Sequence, residues 1–118
     1  MAVLKLPLNA NGRVELNAEE LRQKILLETA RMDWPELARW FARGMVVIAK
    51  PGLDLVEAAA CLAENDQARL RGWIEAGQVR RALDGDAKRW HAANQEFWAV
   101  VVAPWVLVQE IAGDSGQE

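Results

Sequence analysis

Apolar residues recur at helical spacing in five stretches of the chain, and most of these stretches follow a residue that caps helices. The first stretch follows Asn17, with Glu20 three positions later as in a capping box. We expect this first helix to end near Met32, because a second helix starts immediately afterwards. The later helix starts are predicted at Asp33, Asp54, Asp66 and just after the turn Asp84–Gly85–Asp86.

Two of these helices have distinctive faces. Ala58–Ala63, which contains Cys61, gives the third helix a slim face that permits close packing. The last helix is predicted to carry Trp90, Ala93 and Phe97 in register.

Two apolar, β-branched runs predict strands. Met45–Ala49 is short and uninterrupted, as in a buried strand, whereas Ala99–Gln109 is the longest strand signal in the chain. Pro104 interrupts this second run, and because proline has no N–H to donate, we expect it at a bulge or an edge. Gln78–Arg81 is compatible with a further short strand. The pattern therefore predicts an α+β fold, with about five helices packed on one small sheet whose main strands are 45–49 and 99–109.

A length of 118 residues fits one domain. We expect a single globular domain at 17–112 and a disordered polar tail at 113–118. Residues 1–16 form an N-terminal extension or hairpin, since Asn11–Gly12 favours a tight turn, or alternatively a poorly ordered tail. The start of the chain lacks a signal-peptide core, and no apolar run approaches the ~20 residues that span a bilayer. We expect a cytoplasmic protein without a membrane partner.

The inventory of reactive side chains is small. His91 is the only histidine, Cys61 the only cysteine and Ser115 the only serine. One histidine and one cysteine cannot form a structural zinc site, and a mid-helix cysteine in an alanine-rich face is a packing residue. Glycine-rich nucleotide motifs are also missing from the sequence. We therefore expect no metal, no cofactor and no catalytic residue among these three, and we favour a protein that is not an enzyme.

Carboxylates and amides beside the apolar blocks leave a different chemistry open. If they converge in a cleft with shifted pKa values, they would serve a small-molecule binder or a carboxylate-based enzyme. The simpler interpretation is that they are exposed or cap helices. This possible polar cluster comprises Glu28, Asp33, Asp54, Asn65, Asp66 and Glu110.

Six tryptophans and no tyrosine are the most unusual feature of the composition. Trp40 and Trp105 are the tryptophans whose positions are least accounted for by packing in a helical core, and tryptophan is favoured at interface hot spots. Together with Val106 and Val108 of the apolar run, they predict an interface. We therefore expect a non-enzymatic interaction or regulatory module, either a homodimer or a protein that binds another, unidentified protein.

The segment 54–79 suggests a DNA-binding alternative. It resembles the helix-turn-helix of MerR and excisionase-type regulators, in which Arg69 and Arg71 would contact DNA. Yet the start of the second helix carries Glu64, Asn65 and Asp66, where carboxylates would meet phosphates. A net charge of −3 also argues against general attraction to nucleic acid, so we expect nucleic acid to be an unlikely partner.

Three blocks of sequence resemble a family of small uncharacterised bacterial proteins, domain of unknown function 2288. They are LLETARMDW (Leu26–Trp34), LDLVEAAACLAEND with WIEAGQV (Leu53–Asp66 and Trp73–Val79), and FWAVVVAPWVLVQE (Phe97–Glu110). The resemblance implies a bacterial, intracellular origin and a single compact domain. It assigns no activity and no site residue.

Overall fold

The computed structural model describes residues 16–112 as a mixed β-sheet with helices on both faces. In chain order the elements of this part are α1 (Ala18–Glu28), β1 (Ala30–Asp33), α2 (Trp34–Ala42), β2 (Val46–Ala49), α3 (Leu55–Glu64), α4 (Gln67–Glu75), β3 (Val79–Arg81), α5 (Asp84–Ala93), β4 (Glu96–Val102) and β5 (Trp105–Glu110). The α+β class is therefore confirmed. The predicted tail at 113–118 and all but the last residue of the predicted extension at 1–16 lie outside the described residues.

The five strands are ordered β1-β4-β5-β2-β3 across the sheet. β4 and β5 form an antiparallel hairpin, β2 runs parallel to β5, and β1 and β3 pair antiparallel at the two edges. β5 is thus the central strand, and the hairpin that contains it makes the longest pairing in the sheet.

Two apolar clusters hold the helices on the sheet. On one side, here called the first face, α1 and α3 pack against the sheet, with Leu21 and Ile25 fully buried. On the opposite, second face, α2 and α5 pack through Leu37 and Trp90. Strand residues alternate between the clusters, as the period of a strand requires. The half-buried Trp73 attaches α4 to the first cluster.

The first helix is shorter than the sequence predicts. It ends at Glu28, because Thr29 adopts an extended backbone and its N–H closes the helix on the carbonyls of Ile25 and Leu26. The next residues form β1, a strand that the helical pattern does not reveal. Met32 is buried as expected, but it lies on the second face opposite Phe97 rather than with the helix residues.

The predicted strand 99–109 is two strands. Ala103 and Pro104 form the turn of the β4–β5 hairpin, joined by a cis peptide bond, so Pro104 lies neither at a bulge nor at an edge. β4 begins at Glu96, which places Phe97 on this strand instead of on the last helix. That helix, α5, starts at Asp84 and includes the residues predicted as a turn. Of the remaining strand predictions, both 45–49 and the short strand near 78–81 are confirmed.

Within residues 16–112, the helices are too short or too polar for any of them to cross a bilayer.

Candidate functional site

Most residues of the possible polar cluster cap the ends of helices. Asp33, Asp54 and Asp66 begin α2, α3 and α4, and each side chain accepts a hydrogen bond from a backbone N–H of its own first turn. Asn65 ends α3 in the left-handed conformation (φ 56°) that asparagine tolerates. Because these side chains serve separate helices, they do not form a common site. Glu28 is the last residue of α1, and its side chain is partly exposed.

Glu110 is the exception, since it belongs to a compact group of charges that we call the ion cluster: Arg80, Asp86, Arg89 and Glu110. Asp86 receives two hydrogen bonds of 2.8 Å from Arg80, and Arg89 donates two of 2.9 Å to Glu110. Arg89 also reaches Asp86 at 3.2 Å. The cluster therefore joins β3, α5 and β5 on the second face.

Neighbouring groups occupy the remaining acceptors of the cluster. The backbone N–H of Leu83 donates to Asp86 at 2.8 Å, and the indole N–H of the buried Trp90 donates to Glu110 at 2.9 Å. No buried polar side-chain atom in the described residues lacks a partner. The arrangement closes the first turn of α5, whose N-cap Leu83 has no side-chain acceptor of its own.

Both carboxylates of the ion cluster are held ionised. Hydrogen bonds from Arg80, aided by the Leu83 N–H, keep the pKa of Asp86 well below its ordinary value despite burial. Burial of Glu110 favours a higher pKa, but the bonds from Arg89 and Trp90 outweigh it and the pKa is lowered. Groups with depressed pKa values and filled acceptors are poorly suited to general acid or base catalysis near neutral pH. The ion cluster is therefore a structural element.

The remaining candidate groups for chemistry are placed apart. Cys61 is buried in α3, and burial raises the pKa of its thiol, which disfavours the reactive thiolate. His91 is exposed on α5. Among residues 16–112 no group of three His, Cys, Asp or Glu side chains is arranged to hold a metal ion.

Tryptophan and arginine are paired throughout the described part of the chain. Five tryptophans have a guanidinium carbon within 5.0–5.9 Å of the ring centroid. The pairs are Arg31–Trp98, Arg43–Trp40, Arg69–Trp73, Arg81–Trp105 and Arg89–Trp90. A cation over an aromatic face is stabilising, most of all where water is partly excluded.

Two of these pairs meet at one end of the sheet, which we call the arginine–tryptophan end: Trp40, Arg43, Arg81 and Trp105. Trp40 is half-buried against the second cluster and Trp105 against the first, so the two rings flank the sheet from opposite faces. Arg81 links them, because it lies over Trp105 and donates to the carbonyl of Gly44, the residue after Arg43.

Gly44 makes this approach possible. It has φ +73°, a conformation that side chains with a Cβ rarely adopt, and a Cβ at this position would lie 3.2 Å from the Arg81 guanidinium. The N–H of Gly44 donates to the carbonyl of Phe41, and the N–H of the next residue, Met45, donates to the carbonyl of Trp40. The turn after α2 therefore leaves room for the Arg81 side chain of β3.

Arg43 and Arg81 have no ion-pair partner within residues 16–112, in contrast to Arg22, Arg31, Arg69, Arg80 and Arg89, which all pair with a carboxylate. Both side chains are exposed, as is the Ala103–Pro104 turn next to Trp105. The arginine–tryptophan end thus combines uncompensated positive charge with half-buried aromatic rings.

The predicted interface needs one correction. Val106 and Val108 are fully buried in the second cluster, because β5 is central and α2 and α5 cover that face. These two side chains cannot contact another chain in this fold. Trp40 and Trp105, in contrast, both reach the surface at the arginine–tryptophan end.

Three large apolar side chains are exposed near the carboxyl end of α1, and we call them the α1–β4 surface. They are Leu26, Leu27 and Trp98, with exposed fractions of 65%, 84% and 41%. Trp98 lies under Arg31, which pairs with Glu96, so the charges around it are balanced. The sequence pattern did not single out these three residues as a surface.

The predicted DNA contacts are differently placed. Arg69 lies over Trp73 and pairs at 3.4 Å with Glu57, which also binds Arg22. Its guanidinium is therefore engaged within the protein, while Arg71 is exposed on α4. Asp66, as the cap of this helix, places a carboxylate where a DNA phosphate would come.

Comparison with known proteins places the chain in a family. The sequence pattern of a family described as protein of unknown function (DUF2288) matches residues 20–110. The chain belongs to this family. The resemblance seen in the three sequence blocks is thereby confirmed, and the match includes the ion cluster and the arginine–tryptophan end.

A solved structure similar to this chain is that of PA1075 from Pseudomonas aeruginosa, determined by NMR in solution. The two chains are 38% identical and superpose with a TM-score of 0.71, over 85% of this chain and 93% of the other. No curated protein matches the chain. The comparisons support the fold but assign no activity, so a function is proposed from the surface of the structure.

Proposed function

We propose that this protein is a non-enzymatic interaction module whose binding surface is the arginine–tryptophan end. One observation carries the proposal: the fold brings Trp40 and Trp105 from opposite faces to one end, beside two arginines without ion-pair partners in the described residues. Tryptophan and arginine are the residues most enriched at the hot spots of protein interfaces.

The state of the candidate chemical groups favours binding over catalysis. Of the five acidic side chains in the possible polar cluster, three cap helices (Asp33, Asp54 and Asp66) and Glu110 neutralises Arg89. The buried thiol of Cys61 has a raised pKa. We extend the proposal to a regulatory role, because a small binding module that catalyses no reaction acts through the partner that it binds.

A site-specific photo-crosslinker tests the proposal. It is placed at Ala103, in the exposed turn of the arginine–tryptophan end, and in a matched variant at Ala76, exposed after α4. In cells of the source organism we expect discrete protein adducts from position 103, which disappear when Arg43→Glu is added. Equal adducts from both positions, or none from position 103, would contradict the proposal.

A homodimer is the second candidate, and the α1–β4 surface is the observation that favours it. Exposed apolar side chains surrounded by balanced charge suit a symmetric contact, in which the same patch of both copies meets. The arginine–tryptophan end suits such a contact less well, since symmetry would place its arginines near one another.

Sedimentation velocity across micromolar concentrations tests the dimer. We expect Leu27→Glu to shift the protein to monomer, because a carboxylate would be buried in the contact. Ile74→Glu is the control, as Ile74 is also an exposed apolar residue but lies on α4. A wild-type monomer at every concentration would eliminate this candidate.

A further inference from the structure

We infer that the arginine–tryptophan end binds an acidic segment of another protein, with carboxylates paired to Arg43 and Arg81 and apolar side chains placed against Trp40 and Trp105. This inference rests on the proposed function and names the chemistry of the partner. It is carried by charge complementarity: of the four arginines without an ion-pair partner in residues 16–112, three belong to this end (Arg39, Arg43 and Arg81).

The arginines at this end lack the ion pairs that most other arginines of the described residues make. Five arginines are neutralised by carboxylates within the fold, but Arg43 and Arg81 are not. Arg39, in the last turn of α2, adds a third positive charge one turn before Arg43 and has no ion-pair partner in residues 16–112 either. An anionic partner would therefore gain attraction here without competing against an internal carboxylate.

The geometry of the arginines favours carboxylates. A guanidinium that lies over an indole ring still presents its N–H edges outward, and its planar fork matches a carboxylate with two parallel hydrogen bonds. The ring beneath restricts the rotation of the arginine, so less side-chain entropy is lost on binding. Arg81 is further restrained by its bond to Gly44.

Nucleic acid fits the same surface less well. Sequence-tolerant binding of single strands relies on bases that stack on open aromatic faces. Here guanidinium groups lie over the rings of Trp40 and Trp105, 5.9 Å and 5.3 Å from their centroids, and each indole is also partly buried against the core. Little ring surface is left for a base, whereas leucine-sized side chains can contact the exposed edges.

A second copy of this chain is also disfavoured at this end. A symmetric contact would bury Arg43 and Arg81 of both copies in one interface, and like charges at an interface are costly. The occupant is therefore a different protein with an acidic, apolar-containing segment.

Fluorescence anisotropy with the full chain tests the inference. The probes are a labelled peptide of glutamate and leucine, its counterpart of glutamine and leucine, and a labelled oligothymidylate. We expect only the glutamate peptide to bind, with an affinity that falls as salt rises. Arg43→Glu and Arg81→Gln should each weaken binding by about tenfold or more, as loss of a charge-assisted hydrogen bond predicts.

Arg71→Glu is the matched control, because Arg71 is an exposed arginine on α4 without an ion-pair partner in the described residues. It makes the same change in net charge as Arg43→Glu and should leave the affinity within about twofold of wild type, a spread far below the tenfold step of 1.4 kcal/mol. The Arg43 side chain, unlike that of Arg81, has no hydrogen bond to the backbone of residues 16–112, so its variant stays informative even if Arg81→Gln alters the fold. Thermal melts of each variant verify folding.

Three outcomes would overturn the inference: failure of the glutamate peptide to bind at low salt, an equal loss with Arg71→Glu, or tighter binding of the oligothymidylate. Adducts from a crosslinker at Ala103 report on the proposed function separately. If these adducts persist while the glutamate peptide fails, the interaction module stands and only the acidic partner is excluded.

Discussion

At the scale of single residues, Asp86 is the side chain on which most of the local structure depends. It is 7% exposed and accepts hydrogen bonds from two arginines and from the Leu83 backbone. The sequence contains a hint of this role, since Asp86 and Arg89 are spaced to pair on one helix face. Arg80 and Glu110 could not be added to the pair from sequence, because they lie outside the helix, on β3 and β5, and only the folded sheet brings them to it.

Replacement of Asp86 by asparagine is expected to lower the free energy of unfolding by about 2–4 kcal/mol. The change removes the charge that Arg80 and Arg89 neutralise and leaves Arg80 without a carboxylate, beside an Arg89 that is paired only with Glu110. Urea denaturation measures the effect. Asp84→Asn is the control: Asp84 is exposed in the same first turn, and its loss should cost less than about 1 kcal/mol. Equal effects of the two variants would contradict the assigned role.

At the scale of elements, α3 shows how a composition pattern becomes a packing geometry. The alanine-rich face predicted from the sequence is buried against the sheet, with Ala58, Ala59, Ala60 and Cys61 all nearly inaccessible. Small side chains let the helix backbone approach the strands, and α1 packs beside it through the Arg22–Glu57 pair. The slim face is thus a confirmed prediction with a structural reason.

Ala59→Leu is expected to destabilise the fold by about 1–3 kcal/mol, because the added carbons would push α3 off the sheet. Ala68→Leu, on the exposed side of α4, should change stability by less than about 0.5 kcal/mol. Chemical denaturation of both variants provides the comparison. A neutral Ala59→Leu would show that the helix–sheet spacing is not set by the small residues.

For the whole molecule, stability is expected to depend on pH in the acid range. The pKa values of Asp86, Glu110 and Glu57 are lowered by their arginine and N–H partners. A depressed folded-state pKa contributes stability that is fully present above the unfolded-state value, about 4, and is lost as pH falls below it. Unfolding free energy should therefore be nearly constant from pH 7 to about 5 and then decline.

Urea titrations at a series of pH values measure this profile. Asp86→Asn should flatten the decline, because it removes the carboxylate whose pKa is lowered most. Glu64→Gln, which replaces an exposed carboxylate at the end of α3, should leave the profile parallel to that of wild type. A wild-type profile that stays flat down to pH 3 would show that these ion pairs do not contribute to stability.

The sequence by itself determined the features that depend on neighbours a few positions away. The N-caps Asn17, Asp33 and Asp54 are correctly placed, because each cap bonds to the first turn of its own helix. The buried strand at 46–49 follows from a run of β-branched residues. The family resemblance likewise rests on contiguous blocks of sequence.

Only the tertiary structure decided the surfaces on which function is proposed. Arg81 meets Gly44 across 37 positions, and Arg89 meets Glu110 across 21, so neither contact leaves a local pattern. The end of the first helix at Glu28 and the hairpin at Pro104 depend on which strands the chain finds to pair with. Burial of Val106 and Val108, and exposure of Arg43 and Trp98, follow from that pairing, because a side chain's access to solvent is set by the elements that cover it.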